Sequence, residues 1–401
     1  MLSFHNSIYK NRDFSLLWSG QFVSWIGTEV SSIALPLIVL AITGSSAFAG
    51  LIAGVRGLTY VFVSLPAGVI VDRFDRKTIM IIGNIGSGLA TGTIAVGILL
   101  HFLSIPMLFI IGILEATFFT FANLARFSAV MQIVGTNNMP TASAQINLAS
   151  HTSEFIGPAL GGFLYQTVGA FISFFLDSIS YFFNAVSLYF LKTSLKIERK
   201  ESARAIKHEI KDGIIWLWKQ RAIRLFTIIT SGRFFLDSGI YLLIIILAKQ
   251  NHASAVIIGL LFGAGAIGGI IGSLFATRIY NHLSARVITI LCTAICLLLF
   301  PLYLIAHTNI FLGILTFLIT AIEPIYLVLV NSYTAMQTPN ELRGRINSMV
   351  RMIQFGSYSA GFLVMGVFLE KIGVTGSVFI FSSVLFIMVL FTFLDTELKR
   401  I

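Results

Sequence analysis

Six carboxylates fall inside long apolar stretches of this 401-residue chain: Glu29, Glu115, Glu154, Asp177, Asp237 and Glu323. A carboxylate in hydrocarbon costs roughly 3 kcal/mol on insertion scales, so each needs a cation, a proton or a water-lined crevice. Taking up and releasing protons is the chemistry open to such groups, because protonation removes the desolvation cost and lets a proton favour one conformation over another. Asp237 follows Arg233 by four residues, so the two share a helix face and mutual neutralisation is one outcome. Glu115 and Arg126 stand three helical turns apart, about 16 Å along one stripe, too far to pair. Glu323 precedes Pro324, whose ring removes a backbone hydrogen bond and kinks a helix, placing an acid beside a freed carbonyl. Glu323 is therefore the first proton-carrier candidate, and Glu29, near mid-depth of its segment, the second. Asp177 lies closer to the end of its segment, where a local hydrogen bond would hold it.

The elements that position these acids must cross a bilayer. The chain is 56% apolar and 11% charged, with a mean hydropathy of +0.90. Its apolar runs reach about 20 residues without period-2 alternation, which makes them helices, since lipid tolerates only helices and closed barrels. Twelve are expected: Phe14–Thr43, Ala47–Val71, Thr78–Leu100, Met107–Val134, Thr141–Tyr165, Ala170–Leu191, Leu225–Leu247, Val256–Ala276, Val287–Ala306, Ile310–Ala335, Ile346–Leu369 and Gly376–Leu394. The net charge of +10 is placed, not spread. Twenty-one of the 27 Lys and Arg residues fall on the side of the amino terminus and the even-to-odd connections, ten of them between Lys192 and Arg224. Both termini should face the cytoplasm. The connection Gly135–Pro140, which has no basic residue, is a local exception. Placed this way, the charge speaks for a membrane and against nucleic acid. The polar start, Met1–Asp13, leads into an apolar run too long for a signal h-region, so the first helix is expected to be retained. Cys292 and Cys296, one turn apart, read as small buried hydrophobes.

The polar stretch 192–224 divides the chain into an amino-terminal six-helix bundle, 1–191, and a carboxy-terminal one, 225–401. Weak similarity links the two. Ser19-Gly20 and Gly27 recur as Ser231-Gly232 and Gly239, Gly50 and Gly54 as Gly259 and Gly263, Met131-Gln132 as Met336-Gln337, and Asn147 as Asn347. Two structural repeats with a site at their interface is the build of a secondary transporter. Gly263-Ala-Gly265-Ala-Ile-Gly268 matches a dinucleotide fingerprint formally, but inside a membrane helix without a preceding strand it carries nothing.

Asn11-Arg12-Asp13-Phe14 leading to Trp18 and Gly20-Gln21, the turn Pro66 to Lys77, and Leu342-Arg343-Gly344-Arg345-Ile346-Asn347 resemble the major facilitator superfamily, and within it the proton-coupled drug exporters that include macrolide efflux proteins and enterobactin exporters. The resemblance covers nearly the whole chain. It implies an all-α integral membrane fold of twelve transmembrane helices in two pseudo-symmetric six-helix bundles. It also implies that helices 1, 4, 7 and 10 line a central cavity, which places Glu29, Glu115, Asp237 and Glu323, with Arg126 and Arg233, along a proton or substrate route. Gly68, Asp72, Arg73, Arg76 and Lys77 match the gating turn between helices 2 and 3. Asp72 would meet the positive end of helix 11 there, and Gly68 would permit close helix approach. In the corresponding turn of the second half, Thr277 stands where Asp72 does. Glu154 followed by Gly157-Pro158 and Gly161-Gly162 resembles the helix 5 motif of antiporters, with a plain packing motif as the alternative.

No Gly-Lys-Ser or Gly-Lys-Thr phosphate loop is present, nor a zinc-protease helix or a serine-nucleophile elbow, so ATP hydrolysis and these enzyme classes are excluded. The expectation is a proton-driven antiporter of the inner membrane, without cofactor, acting as a monomer on small amphipathic molecules such as macrolides. A siderophore or lipid-like cargo is the alternative within the fold. A non-transporting membrane scaffold or sensor is the alternative outside it.

Overall fold

Asn11 starts the first helix by lending its side-chain oxygen to the backbone N–H groups of Asp13 and Phe14, each at 3.1 Å, which satisfies two of the donors a helix start leaves unpaired. The computed structural model describes residue 8 and residues 10–71, 73–195, 216–338 and 340–395, without the side chains of residues 136, 137, 340–345, 347 and 348. Three helices come first: α1 (Arg12–Thr43), α2 (Ser46–Val71) and α3 (Arg76–Leu99). The helical run Ile105–Thr167 bends at Gly135, whose φ of 72° suits a residue without a Cβ. The bend separates α4 (Ile105–Gly135) from α5 (residues 136–167). Then follow α6 (Ala170–Tyr189), α7 (Arg221–Gln250), α8 (Ala255–His282) and α9 (Ala285–Leu299). A 3-10 segment at Phe300–Ile305 extends α9, and α10 (Asn309–Gln337), α11 (Asn340–Lys371) and α12 (Gly373–Leu394) complete the chain.

The architecture is the expected twelve helices, and the described residues contain no strand. Eleven are long and apolar enough to cross a membrane. The twelfth, α5, is rich in Ser, Thr, Asn and Gln and falls short on composition. Two boundaries need correction. Gly135–Pro140 is not a connecting loop, because one glycine takes the whole turn and the helix resumes at once. The segment Leu342–Asn347 does not precede helix 11 but lies within the first turns of α11.

The chain divides into two compact units. One holds α1 to Ile42, α2 from Val55, and α3 to α6; the other holds Thr43–Gly54 with α7 to α12. Glycines set the helix pairing inside each. Gly20 and Gly27 of α1 face Asn184, Ser187 and Ser180 of α6, while their sequence counterparts Gly232 and Gly239 of α7 face Met388 and Phe381 of α12. Gly157 and Gly161 of α5 rest on Glu29 and Val30 of α1, as Gly361 of α11 rests on Phe235 and Ser238 of α7. The same pairing scheme thus recurs in both units. Gly265 and Gly268, from the segment that mimics a dinucleotide fingerprint, and Gly272 one turn further serve close packing of α8 on α10.

Gly361 and Gly68 should respond oppositely to alanine. A Cβ on Gly361 would stand 2.0 Å from the Phe235 carbonyl oxygen, whereas among the described residues nothing lies within 4 Å of one on Gly68. Gly361→Ala should cost about 1–3 kcal/mol by overpacking, and Gly68→Ala should be neutral or slightly stabilising through helix propensity. Unfolding of both variants in lipid nanodiscs checks this, and equal destabilisation would contradict the packing described.

Candidate functional site

In the second unit α7, α8, α10 and the 3-10 segment line an open cavity of about 110 Å³ bordered by both Asp237 and Glu323. Each wall has a local cause. Pro324 cannot donate a backbone hydrogen bond, so the Thr320 carbonyl one turn earlier is released beside Glu323. The Thr320 hydroxyl donates to the Gly265 carbonyl of α8 at 2.7 Å, which ties the two helices where glycine lets them approach. Pro301 tightens the end of α9 into the 3-10 segment, and this turn delivers Tyr303 to the cavity. Tyr241 and Phe262 stack at 4.3 Å between ring centroids to form an aromatic wall. At roughly 30 Å³ per water, the space suits a few waters or a small charged group, and it is well below the roughly 300–1,000 Å³ of a drug-sized pocket.

Arg233 lies one turn from Asp237 but turns elsewhere. Its guanidinium sits over the Tyr326 ring at 5.0 Å, with Nη1 3.8 Å from Cys296 Sγ. Mutual neutralisation of Arg233 and Asp237 by a direct ion pair is therefore not the arrangement adopted; the acid faces the cavity and the base faces α9 and α10. Cys292 and Cys296 are buried and free, as their apolar helix face implies.

The first unit answers the question of Glu115 differently. Glu115 is 6% exposed, and Arg56 of α2 reaches it with Nη2 at 2.6 Å and Nε at 3.2 Å, while the Tyr181 hydroxyl donates to it at 3.0 Å. Arg126 does not take part: it donates to Asn123 at 2.5 Å and lies over the Trp25 ring at 5.0 Å. Asp177 of α6 is 3% exposed and joins the same cluster, 2.6 Å from Ser31 Oγ and 3.4 Å from Thr28 Oγ1 of α1. Glu29 is half-buried, keeps Ser32 Oγ at 3.4 Å and packs its Cβ against Gly157. The two units differ at one matching contact. Arg56 of α2 rests on Gly112 of α4, three residues before Glu115, whereas Gly265 of α8 rests on Thr320 of α10, three residues before Glu323. An arginine fills the first position, and a cavity stands beside the second.

Around the gating turn, Asp72 lies outside the described residues. Asp75 caps α3, accepting from the Thr78 N–H at 3.1 Å. Lys77 donates to the Tyr189 and Leu191 carbonyls, each at 2.7 Å, and so neutralises the negative end of α6. Arg73 is exposed, and Arg76 keeps its Nε buried without a hydrogen-bond partner. Among the described residues nothing lies within 4 Å of a Cβ placed on Gly68. In α5, Glu154 is exposed and bonds Ser150 at 2.9 Å and His151 at 3.0 Å, with Pro158, Gly161 and Gly162 buried below it. Asn11 and Trp18 donate to the Ile133 and Gln145 carbonyls at 3.0 Å, and Asp13 accepts the N–H groups of Lys192 and Thr193. The amino-terminal motif is thus a staple from α1 to α4, α5 and the end of α6.

Arg56 and Tyr181 are the site residues that sequence reasoning did not bring forward. The available signal was Arg56 itself, since an arginine ten residues into an apolar helix demands an acid.

The family model described as transmembrane secretion effector matches residues 6–401. The enterobactin exporter EntS of Shigella flexneri is 22% identical over 336 residues, which cover 84% of this chain and 80% of that protein. The multidrug efflux pump Tap of Mycobacterium tuberculosis (strain ATCC 25618 / H37Rv) is 24% identical over 366 residues, covering 86% and 84%. Among solved structures, a bacterial homologue of the human lysosomal transporter Spinster superposes with a TM-score of 0.78 at 12% identity over 98% of both chains, a likeness of fold alone.

Proposed function

The chain belongs to the transmembrane secretion effector family of the major facilitator superfamily, and from that premise we propose that it exports amphipathic small molecules in exchange for protons by alternating access. It is a multi-pass membrane transporter and not an enzyme. The observation that carries the proton-coupled reading is the cavity of the second unit, where Asp237 and Glu323 border one space large enough for water. A proton there removes a charge from a low-dielectric site, and the two protonation states then favour different conformations. Macrolide-like drugs are the proposed cargo, with both termini cytoplasmic and Asp72, Arg73, Arg76 and Lys77 acting at the cytoplasmic gate. A siderophore cargo is the second reading, supported by the likeness to EntS over most of the chain.

Purified protein in liposomes tests this with a panel of erythromycin, ethidium and enterobactin. Accumulation should appear only when a pH gradient is imposed, and should favour erythromycin. Equal movement with and without the gradient would remove the coupling, and selective movement of enterobactin would replace the cargo.

A further inference from the structure

We infer that Asp177 is a second proton-binding carboxyl, buried in the first unit and remote in sequence from the acids of the proposed route. The inference deepens the proton-coupled reading and rests on it for its role in transport, though not for the presence of the proton.

Charge and hydrogen counting lead to it. Two carboxylates, Glu115 and Asp177, share the cluster with one guanidinium, Arg56, and that guanidinium spends both its contacts on Glu115. The groups facing Asp177 are Thr28 and Ser31 from α1, Arg56 from α2, Glu115 from α4 and Tyr181 from its own helix, while α3 carries no charged residue after Lys77. Among the described residues no second cation balances the second acid, and a buried unpaired carboxylate is expensive.

The hydroxyl hydrogens are also too few. Ser31 Oγ lies 3.0 Å from the Thr28 carbonyl and 2.6 Å from Asp177 Oδ2, yet owns one hydrogen. Thr28 Oγ1 lies 3.1 Å from the Ser24 carbonyl, 3.2 Å from Tyr181 Oη and 3.4 Å from Asp177 Oδ1, again with one hydrogen. The Tyr181 hydrogen is committed to Glu115 at 3.0 Å. Three hydrogens serve six contacts. A proton on Asp177 Oδ2, donated to Ser31 Oγ, supplies a fourth and frees Ser31 to donate to the Thr28 carbonyl. It also cancels the surplus charge.

Infrared spectra of the purified protein in lipid vesicles decide the matter without any substrate. The parent should show the carbonyl stretch of a hydrogen-bonded carboxylic acid that shifts on transfer to heavy water, and Asp177→Asn should lose that component while Glu29→Gln retains it. Ser31→Ala should keep the component but move it to higher frequency, which covers the case in which Asp177→Asn fails to fold. A spectrum unchanged in Asp177→Asn, or a band indifferent to Ser31→Ala, would overturn the proposal. In liposomes supplied with external erythromycin, Asp177→Asn should accumulate less under a pH gradient than the parent. Failure of the parent itself to respond to the gradient would defeat the proton-coupled reading, and the infrared band would still decide whether Asp177 holds a proton.

Discussion

Replacing Glu323 by glutamine should reduce pH-gradient-driven export by roughly 5- to 150-fold, the span that a coupling free energy of about 1–3 kcal/mol represents. Gln keeps the shape of Glu beside Pro324 and the released Thr320 carbonyl, so the kink of α10 and the cavity survive. What disappears is the exchangeable proton. Asp237→Asn should act in the same direction, because two like charges bordering one space repel and a proton on either would relieve both. Uncoupled exchange of substrate down its own gradient should persist in both variants. Transport assays that compare gradient-driven accumulation with gradient-free exchange separate the two. Equal loss of both activities in Glu323→Gln would mean that the acid shapes the substrate path instead of coupling it to protons.

The helices were legible because hydropathy acts on whole segments: a run of apolar residues long enough to cross a bilayer has few other homes. Glycine recurrences were legible as well, and the structure turns them into contacts, with Gly20 and Gly27 on α6 matched by Gly232 and Gly239 on α12. The bend at Gly135 was misplaced into a loop because Pro140 and the polar residues after it look like a connection, whereas a single positive φ suffices. Side-chain partnerships were the hardest to read. Spacing along one helix links Asp237 to Arg233 and leaves Glu115 without a partner, but the contacts that form run between helices. Arg56 and Glu115 are 59 residues apart, and only packing of α2 on Gly112 of α4 reveals them as neighbours.

That packing also explains why two related units carry different electrostatics. In the first, a glycine at Gly112 makes room for the Arg56 stem, and the guanidinium then closes over Glu115. In the second, the glycine is on α8 at Gly265 and the larger residue, Thr320, is on α10. No arginine arrives from α8, and Glu323 keeps a cavity beside it. One exchange of small and large residues across a helix pair thus separates an acid covered by an arginine from one that borders a cavity.

Removing Arg56 is the severest single change expected for stability. Among the described residues, Arg56→Ala leaves Glu115, 6% exposed, with only the Tyr181 hydroxyl against its charge. Breaking a buried ion pair from one side costs about 3–5 kcal/mol, and the lower end applies because 30% of the Arg56 side chain remains exposed. The opposite deletion should be milder. In Glu115→Gln the Tyr181 bond and the shape survive, and the long Arg56 stem can swing its charge toward water. The double change Arg56→Leu with Glu115→Leu should recover most of the loss, since neither charge is then stranded in apolar surroundings. Denaturant or thermal unfolding in lipid nanodiscs measures all three. Arg56→Ala and Glu115→Gln falling equally, or a double variant no better than Arg56→Ala, would show that the pair contributes through packing and not through neutralisation of a buried charge.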